Sequence, residues 1–522
     1  MQFIQGKNRT QSVLFPESLD QIVESDNEVR IIDLFVESIK LEDFKFIIKT
    51  TIEGRPAYHP KDLLKLYVYG YLNSIRSSRV LEKECKRNIE VIWLMKELIP
   101  DHNTISNFRR DNEKAIRKVF RYTVSLAKHF DLIGGKLVAG DSTKLRAQNS
   151  KKNNFTPKKI EKHLAYIDEK LDQYNKALAA ADDDNKQIIA KEIQKHTTRK
   201  AGYQAMRQQL ETTGEVQIST SDPDSRQLIT RNNITEVAYN VQTVVDSKHC
   251  IPIDYKVTNE NDSKAMSGML KRSKVILNTN EFTALFDKGY HTGSEFETAS
   301  NLGVDVLVAI PNVASHAPDI NYDVANFVYD SINDTYTCPQ KNILNTNGRW
   351  YNKDRGKSIV QIKQYKTDAC SSCPVRDLCT KNKEGRMIER SQHAQFIEQN
   401  KINIESNKEY YKRRQAIVEH PYGTIKRQWG FYYIMTKKGK KRASADVGFM
   451  FIAYNMRRMM NILGQQSFKK FLKELALLLF NFFFPVKSTP LKMPTLFFCN
   501  SNFLPKIYPL ANRLKMTYIC GR

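Results

Sequence analysis

Three acidic motifs, far apart in the chain, contain the side chains best suited to chemistry. Asp141 and Asp287 each follow a short apolar run, and Glu419 follows Ile417 and Val418. An apolar run that ends in a carboxylate is typical of a buried strand that delivers Asp to its carboxyl end. Three carboxylates from separate elements suffice for a pair of divalent cations, because Mg²⁺ takes only one or two protein carboxylates per ion. Such ions activate the attacking oxygen and stabilise the leaving oxygen of a phosphodiester, so the motifs predict a Mg²⁺ or Mn²⁺ site.

The charge balance favours a polyanionic partner. The 522 residues include 82 Lys and Arg against 57 Asp and Glu, a formal net charge of +25. With 41% hydrophobic residues the composition is that of folded domains rather than of a disordered chain. Charge and motifs together predict double-stranded DNA as the partner, the alternatives being a ribosome-associated protein or merely a basic surface.

No targeting or membrane-spanning segment is evident in the sequence. The amino terminus has no apolar core followed by a cleavage site. The strongest apolar run, residues 475–484, has about half the length that a bilayer-spanning helix needs. The eight cysteines are clustered, unlike those of a small secreted scaffold. We therefore expect no membrane association and a cytoplasmic location.

The first 130 residues carry helical patterns. Apolar residues at 63, 66, 67 and 71 recur at the helical period, and a second helix is expected near residues 91–98. The segment from Pro100 opens with capping residues and ends at Arg109 and Arg110. It fits the recognition helix of a helix-turn-helix unit and, equally, an ordinary helical bundle with a solvated basic face. We predict an all-α DNA-binding domain in which Arg109 and Arg110 contact DNA.

From residue 136 the pattern changes to strands. Residues 237–246 and 251–257 form a hairpin pattern, with Pro252 pointing to an edge position, and residues 304–311 form a buried strand. Apolar residues at 160, 164, 167 and 171 mark an amphipathic helix, and a second basic helix follows it. This helical hairpin, inserted into the sheet domain, is either a solvated charged pair or an arm that grips DNA. Strand, long excursion, hairpin, strand, helix, strand is the order of an RNase H-like mixed sheet.

The predicted architecture is thus α/β, an RNase H-like mixed sheet flanked by helices. The predicted segments are a helical domain (1–130), the first part of the catalytic core (131–312) with a helical insertion (145–215), a small Cys-containing insertion (313–399), the second part of the core (400–464) and a tail of unknown role (465–522).

With their flanks, the acidic motifs resemble the DDE transposases of bacterial insertion sequences. More narrowly they resemble the family numbered eleven-eighty-two, kin to the branch with a Tyr-Arg-Glu-Lys signature. The matching pieces occur in the family's order, at residues 140–143, 239–243, 286–290 and 419–426. The resemblance extends over residues 15–464 and implies that Asp141, Asp287 and Glu419 are the catalytic metal ligands. It also implies that two copies of the chain act as a homodimer on paired DNA ends.

The signature residues carry over with one offset. Tyr411, Arg414 and Lys426 match, but Arg414 lies five residues before Glu419 where the family has four. On a regular helix one residue amounts to a rotation of about 100°. The resemblance implies that these three side chains contact DNA, with Lys426 clamping a phosphate. Because Pro421 disfavours helical geometry at the residue before it, we expect a helix that starts or kinks near residue 420, with Glu419 beside its amino end.

Further DNA contacts are predicted just after Lys426. Trp429 shares a helical apolar spacing with earlier residues, which favours a core position, although stacking on an unpaired base is the alternative. Lys437 and Lys438 open a basic run that is either a set of phosphate contacts or a solvated loop.

Four cysteines form a separate candidate site. Cys338, Cys370, Cys373 and Cys379 provide a four-thiolate set suited to structural Zn²⁺, and reduced free cysteines are the alternative. The lead hypothesis for the whole chain is a transposase that cuts at terminal inverted repeats and transfers the strands. The others are a catalytically inactive or domesticated DNA-binding protein of transposase origin, and an RNase H-like nuclease.

Overall fold

The structure, a computed structural model, describes residues 18–47, 56–230, 234–312, 317–355, 358–436 and 438–483. They fall into two compact units. The first unit takes the described residues within Met1–Gly134, Ser142–Glu260 and Glu419–Arg522, and the second takes those within Gly135–Asp141 and Asn261–Val418. Lys437 and most of the predicted tail lie outside the described residues.

Helices dominate the first unit and flank the sheet of the second. The α-helices are α1 (Leu19–Ile22), α2 (Val29–Glu37), α3 (Leu41–Phe44), α4 (Pro60–Leu72), α5 (Ser78–Arg87), α6 (Ile89–Leu94), α7 (His102–Asp111), α8 (Glu113–His129), α9 (Pro157–Ala179), α10 (Asp183–Thr213), α11 (Met266–Leu277), α12 (Gly293–Asn301), α13 (Arg376–Cys379), α14 (Ala394–Ser406), α15 (Lys408–Tyr422), α16 (Lys440–Leu463) and α17 (Gln465–Phe483).

Fourteen strands are present in the described residues. They are β1 (Leu137–Arg146), β2 (Asn154–Phe155), β3 (Ile218–Ser219), β4 (Arg226–Ile229), β5 (Thr235–Asp246), β6 (Ile251–Thr258), β7 (Thr283–Phe286), β8 (Asp305–Val308), β9 (Val328–Asp330), β10 (Thr335–Thr337), β11 (Ile343–Thr346), β12 (Tyr351–Asp354), β13 (Ile359–Lys366) and β14 (Ile388–Ser391). The predicted mixture of helices and strands is confirmed.

The helical patterns at the amino-terminal end are confirmed. α4 begins at Pro60, which suits the first helical position because its missing N–H has no intrahelical partner there. α7 begins after Asp101, whose side chain accepts hydrogen bonds from the backbone N–H groups of Asn103 and Thr104. The helix expected near residues 91–98 is α6, which begins and ends earlier.

The core of the first unit is built around α16. This helix is buried along most of its length and packs against α4, α8 and β6. A helix that is apolar on every side needs such enclosure. Among the described residues, no helix is long and apolar enough to cross a membrane.

The inserted helical hairpin is also confirmed. α9 and α10 pack against each other, and Phe155, Ile160, Leu164 and Leu210 form a small apolar core at one end of the pair. Most other side chains along both helices are exposed.

Strand β1 belongs to both units. In the first unit the strand order is β4–β5–β1, with β6 also paired to β5. Pro252 of β6 stands opposite Val245, next to a register shift, where a missing N–H donor is tolerated. In the second unit the order is β1–β7–β8, and both pairings are parallel. The prediction that β1 ends at Asp141 is wrong, since the strand continues to Arg146.

A second sheet of the second unit lies within the predicted Cys-containing insertion. Its strand order is β12–β13–β11–β10–β9, with β14 paired to β13, and its pairings are antiparallel. Among its described residues, one apolar cluster contains the five buried residues Phe327, Tyr336, Leu344, Tyr365 and Ile388.

Candidate active site

Asp141 and Asp287 are brought together by the register of two parallel strands. Residues 137–139 of β1 pair with residues 283–285 of β7, one to one. Continuing that register by two residues places Asp141 opposite Asp287. Neighbouring strands lie about 4.8 Å apart, so the backbones of Asp141 and Asp287 are neighbours, Asp141 within β1 and Asp287 just after β7. The prediction that Asp287 directly follows a buried strand is confirmed.

Gly140 and Phe286 fit together just before the two carboxylates. A Cβ atom on Gly140 would stand 2.0 Å from Cε1 of Phe286, far inside any real contact distance. Phe286 is itself buried. The glycine of the first motif therefore provides the space for the aromatic ring of the second, which fixes the middle of β1 against the end of β7.

Two signature residues on α15 reach both acidic motifs. The Tyr411 hydroxyl donates to the Phe286 carbonyl over 2.9 Å, and Arg414 Nη1 lies 3.3 Å from Asp141 Oδ2. Residues three apart on a helix share a face, which explains how both side chains point to the strand ends. Burial opposes the charge of Arg414, but Asp141, Tyr411 and Asp287 outweigh it and raise the pKa of the guanidinium. The offset of one residue from the family spacing therefore does not keep Arg414 from the carboxylates.

Asp287 also caps the turn that follows it. Its Oδ1 accepts a hydrogen bond from the Gly289 N–H over 2.9 Å, at the start of the 3₁₀ turn Lys288–Tyr290. The position of a Cβ on Gly289 would lie 3.1 Å from Asp287 Oδ1 and 3.6 Å from Asp262 Oδ2. Asp262 is thus a further carboxylate near this strand end. The sequence reasoning missed it because no apolar strand pattern leads directly into it.

Glu419 lies on α15, five residues beyond Arg414. The helix runs through Pro421 to Tyr422 and continues as a π-helix over Gly423–Gln428. The prediction that Glu419 stands at the amino end of a helix is therefore wrong, since it stands near the carboxyl end of α15. Proline fixes φ near the helical value but removes one hydrogen bond, and the wider turns directly after it accommodate that distortion.

The residue next to Glu419 is anchored within the first unit. His420 Nδ1 lies 2.7 Å from the Tyr454 hydroxyl, which donates to the Cys250 carbonyl over 3.0 Å. Because the hydroxyl proton goes to the carbonyl, the same hydroxyl oxygen accepts from His420 Nδ1–H. This chain of hydrogen bonds fixes the end of α15 that bears Glu419.

Lys426 is held against β1. Its Nζ donates to Thr143 Oγ1 over 3.0 Å. Thr143 is two residues beyond Asp141 and therefore on the same face of the strand. The segment after Lys426 is joined to the end of β1, since the Arg146 N–H donates to the Tyr432 carbonyl and the Ile434 N–H donates to the Arg146 carbonyl.

The structure contradicts the predicted DNA contact of Arg109. Only 5% of Arg109 is exposed, and its Nη1 donates to the Tyr71 hydroxyl over 2.8 Å and to the Arg76 carbonyl over 3.1 Å. Its Nη1 also lies 3.5 Å from Oδ1 of the fully buried Asp446. Arg109 thus neutralises a buried carboxylate in the interior of the first unit.

The other predicted DNA contacts remain predictions. Arg110 is exposed and paired with Asp111, and Lys438 is exposed. Trp429 is half-buried with its ring 5.6 Å from that of Phe431, which leaves both of its interpretations open. Lys437 lies outside the described residues.

In the described ranges, no group of three or more His, Cys, Asp or Glu side chains is arranged to hold a metal ion. Asp141 and Asp287 nevertheless offer two half-buried oxygen ligands, the type that Mg²⁺ and Mn²⁺ prefer. Their role as metal ligands, with Glu419 as the third, stays a prediction.

Comparison with known families identifies two segments of the chain. Residues 17–111 match a transposase domain (DUF772), and residues 337–460 match a transposase DDE domain. Both models describe transposase domains. The DDE match contains Glu419 and Lys426, and the N-terminal match contains Arg109 and Arg110. The narrower family number and the signature branch remain predictions.

One solved structure is similar to this chain. It is the cryo-EM structure of the piggyBac transposase synaptic complex with hairpin DNA. The similarity covers 87% of this chain and 80% of that chain, at 10% sequence identity and a TM-score of 0.30. No curated protein matches the chain.

Proposed function

We propose that this chain is a DNA transposase that binds the terminal inverted repeats of an insertion sequence and catalyses metal-dependent strand cleavage and strand transfer. The observation that carries the proposal is the register of the parallel strands β1 and β7, which continues to Asp141 opposite Asp287, together with the contact of Arg414 of α15 with Asp141. The same helix bears Glu419, within the segment that matches a transposase DDE domain.

The donor set fits a hard divalent cation. Asp141, Asp287 and Glu419 would hold Mg²⁺ or Mn²⁺, which when bound supplies activation of the attacking oxygen and stabilisation of the leaving oxygen. Arg414 balances part of the charge at this site through its contact with Asp141. Lys426 presents an ammonium group on the face of β1 that carries Asp141, where it would contact a DNA phosphate.

The fold that we propose for this chemistry is RNase H-like. The hairpin β5–β6 precedes the two short parallel strands β7 and β8, and β1 has β5 as its neighbour in the first unit and β7 in the second. That order supports the predicted mixed sheet. We also propose, from the family resemblance, that two copies act on paired element ends within the bacterial nucleoid.

The proposal is tested by cleavage of labelled element-end DNA with Mg²⁺ or Mn²⁺. Asp287→Asn should abolish cleavage while leaving DNA binding in place, because the substitution keeps the shape of the side chain and removes its charge. Asp305→Asn is the matched control, since Asp305 is an exposed carboxylate at the start of β8 in the same unit, and it should cleave like the wild type.

Two results would overturn the proposal. Equal cleavage by wild type and Asp287→Asn would exclude the assigned carboxylate. Tight, specific binding of element ends by the wild type without cleavage in either metal would instead establish the alternative, a catalytically inactive DNA-binding protein of transposase origin.

A further inference from the structure

Four cysteines converge on one small cavity in the insertion of the second unit. Cys338 follows β10, Cys370 and Cys373 lie in the segment after β13, and Cys379 ends α13. All four line the same cavity of about 30 Å³. A space of that size is large enough for a water molecule or a single metal ion.

The backbone around Cys338 forms a tight turn in which an N–H group donates to its sulfur. The Asn342 N–H donates to Cys338 Sγ over 3.3 Å, and the Cys338 N–H donates to the Asn342 carbonyl over 2.9 Å. Lys341 adopts the left-handed conformation, with φ +61°, that this tight turn requires. The sulfur of Cys338 thus lies inside a tight turn, where a backbone N–H directed at it can also support it as a metal ligand.

Two further features enclose the cavity. Gly385 has φ +87°, and a Cβ there would stand 2.4 Å from Cys370 Cβ and 3.1 Å from its Sγ, so the loop closes directly over this cysteine. Arg386 also lines the cavity and donates through Nη1 to the Cys379 carbonyl over 3.3 Å. Its cationic group offsets part of the negative charge that several thiolates would bring together.

The apolar core of the insertion is small, so the insertion needs a further source of stability, which the four cysteines can provide. Five buried residues form its core, and Cys338 and Cys379 pack against that cluster. Small folds with so small a core are commonly stabilised by disulfides or a structural metal. All four cysteines are free thiols, so a disulfide is not what holds them.

We propose that Cys338, Cys370, Cys373 and Cys379 bind one structural Zn²⁺ that ties the insertion together. A set of four soft sulfur ligands selects zinc over the hard cations expected at the carboxylates, and it leaves no open coordination position for chemistry. In the described residues, no three His, Cys, Asp or Glu side chains are close enough together to hold an ion as they stand. Zinc binding therefore requires the four cysteine side chains to rotate into the cavity that they line.

The test is the zinc content of freshly reduced full-length protein from zinc-supplemented cells. Wild type should contain about one equivalent of zinc per chain, by the usual stoichiometry of a four-cysteine site. Cys373→Ser should lose most of it, whereas Cys85→Ser should retain it because Cys85 is a buried cysteine of α5. Replacement of zinc by Co²⁺ in the wild type should produce the absorption of a tetrahedral cobalt–thiolate centre.

The cobalt spectrum keeps the test decisive if Cys373→Ser fails to fold, because it needs no variant. Less than about half an equivalent of zinc without that spectrum would overturn the proposal. A Cys370–Cys373 disulfide in place of metal, found by mass spectrometry, would also overturn it. The measurement involves no DNA, so its outcome is independent of the proposed cleavage.

Discussion

Replacement of Arg414 by Gln should make the carboxylate site bind metal more tightly. Arg414 Nη1 lies 3.3 Å from Asp141 Oδ2, and only 18% and 23% of the two side chains are exposed. A cation that binds Asp141 must displace or repel this guanidinium. The variant removes that competitor. Burial alone would lower the pKa of Arg414, but Asp141, Tyr411 and Asp287 raise it, so the variant also removes a positive charge that interacts with both carboxylates.

The magnitude follows from the geometry of the pair. Two unit charges about 4 Å apart interact by about 4 kcal/mol at an effective dielectric constant of about 20, which is an upper limit here. A hydrogen bond between charged groups contributes about 1.5–3 kcal/mol net. If Mn²⁺ binding must break an interaction worth about 1.5 kcal/mol, the lower end of that range, removal of the interaction in Arg414→Gln should lower the Kd for Mn²⁺ by about tenfold.

The assay is titration with Mn²⁺, with the free ion measured by electron paramagnetic resonance and no DNA present. Arg413→Gln is the matched control, because Arg413 is the exposed neighbour on the same helix and its guanidinium lies over the Tyr410 ring. Its Mn²⁺ affinity should equal that of the wild type. Asp141→Asn should weaken binding, which identifies the site that is being measured.

An Arg414→Gln protein that binds Mn²⁺ no more tightly than the wild type would refute the competition argument. Unchanged binding in Asp141→Asn would show that the ion occupies some other site. DNA cleavage by Arg414→Gln should still decline despite the tighter metal binding, since the variant also lacks the cation that we propose to approach phosphate.

Three further predictions concern packing, DNA contact and helix anchoring. In urea unfolding, Gly140→Ala should lower the free energy of unfolding by about 1–3 kcal/mol through overpacking. Gly202→Ala is the control and should be neutral or stabilising, because a Cβ at that position meets nothing within 4 Å. Lys426→Ala should reduce the salt dependence of DNA affinity by about one phosphate contact, and Thr143→Val should leave that slope unchanged in the same binding assay. Tyr454→Phe should cost about 1 kcal/mol of stability and lower the cleavage rate with unchanged DNA affinity; equal rates would argue against its anchoring role.

Local patterns in the sequence were sufficient wherever a single element decides the outcome. The helical periods of α4 and α9 are present in the structure, as is the apolar run that leads into Asp287. These features depend on residues close together in the chain. The convergence of Asp141 with Asp287 depends on strand register, which sequence spacing does not specify.

Arg109 shows why a basic residue on a helix is ambiguous. Its position at the end of α7 is that of a solvent-facing or DNA-facing cation, yet its partner Asp446 lies on α16, far away in the sequence. Burial of that carboxylate determines the outcome, because an unpaired buried charge is strongly destabilising. Likewise, α15 runs through Pro421 and a π-helix begins two residues later, an arrangement that a rule about proline alone does not predict.

The contact between Gly140 and Phe286 also constrains how this chain can diverge. The two positions belong to different motifs but occupy a single volume, since a Cβ on one would overlap the ring of the other. A relative with a side chain at position 140 should therefore have a smaller residue than Phe at position 286. Substitutions at the two sites are expected to be acquired in pairs, so the spacing of the carboxylates can persist while the residues that set it change together.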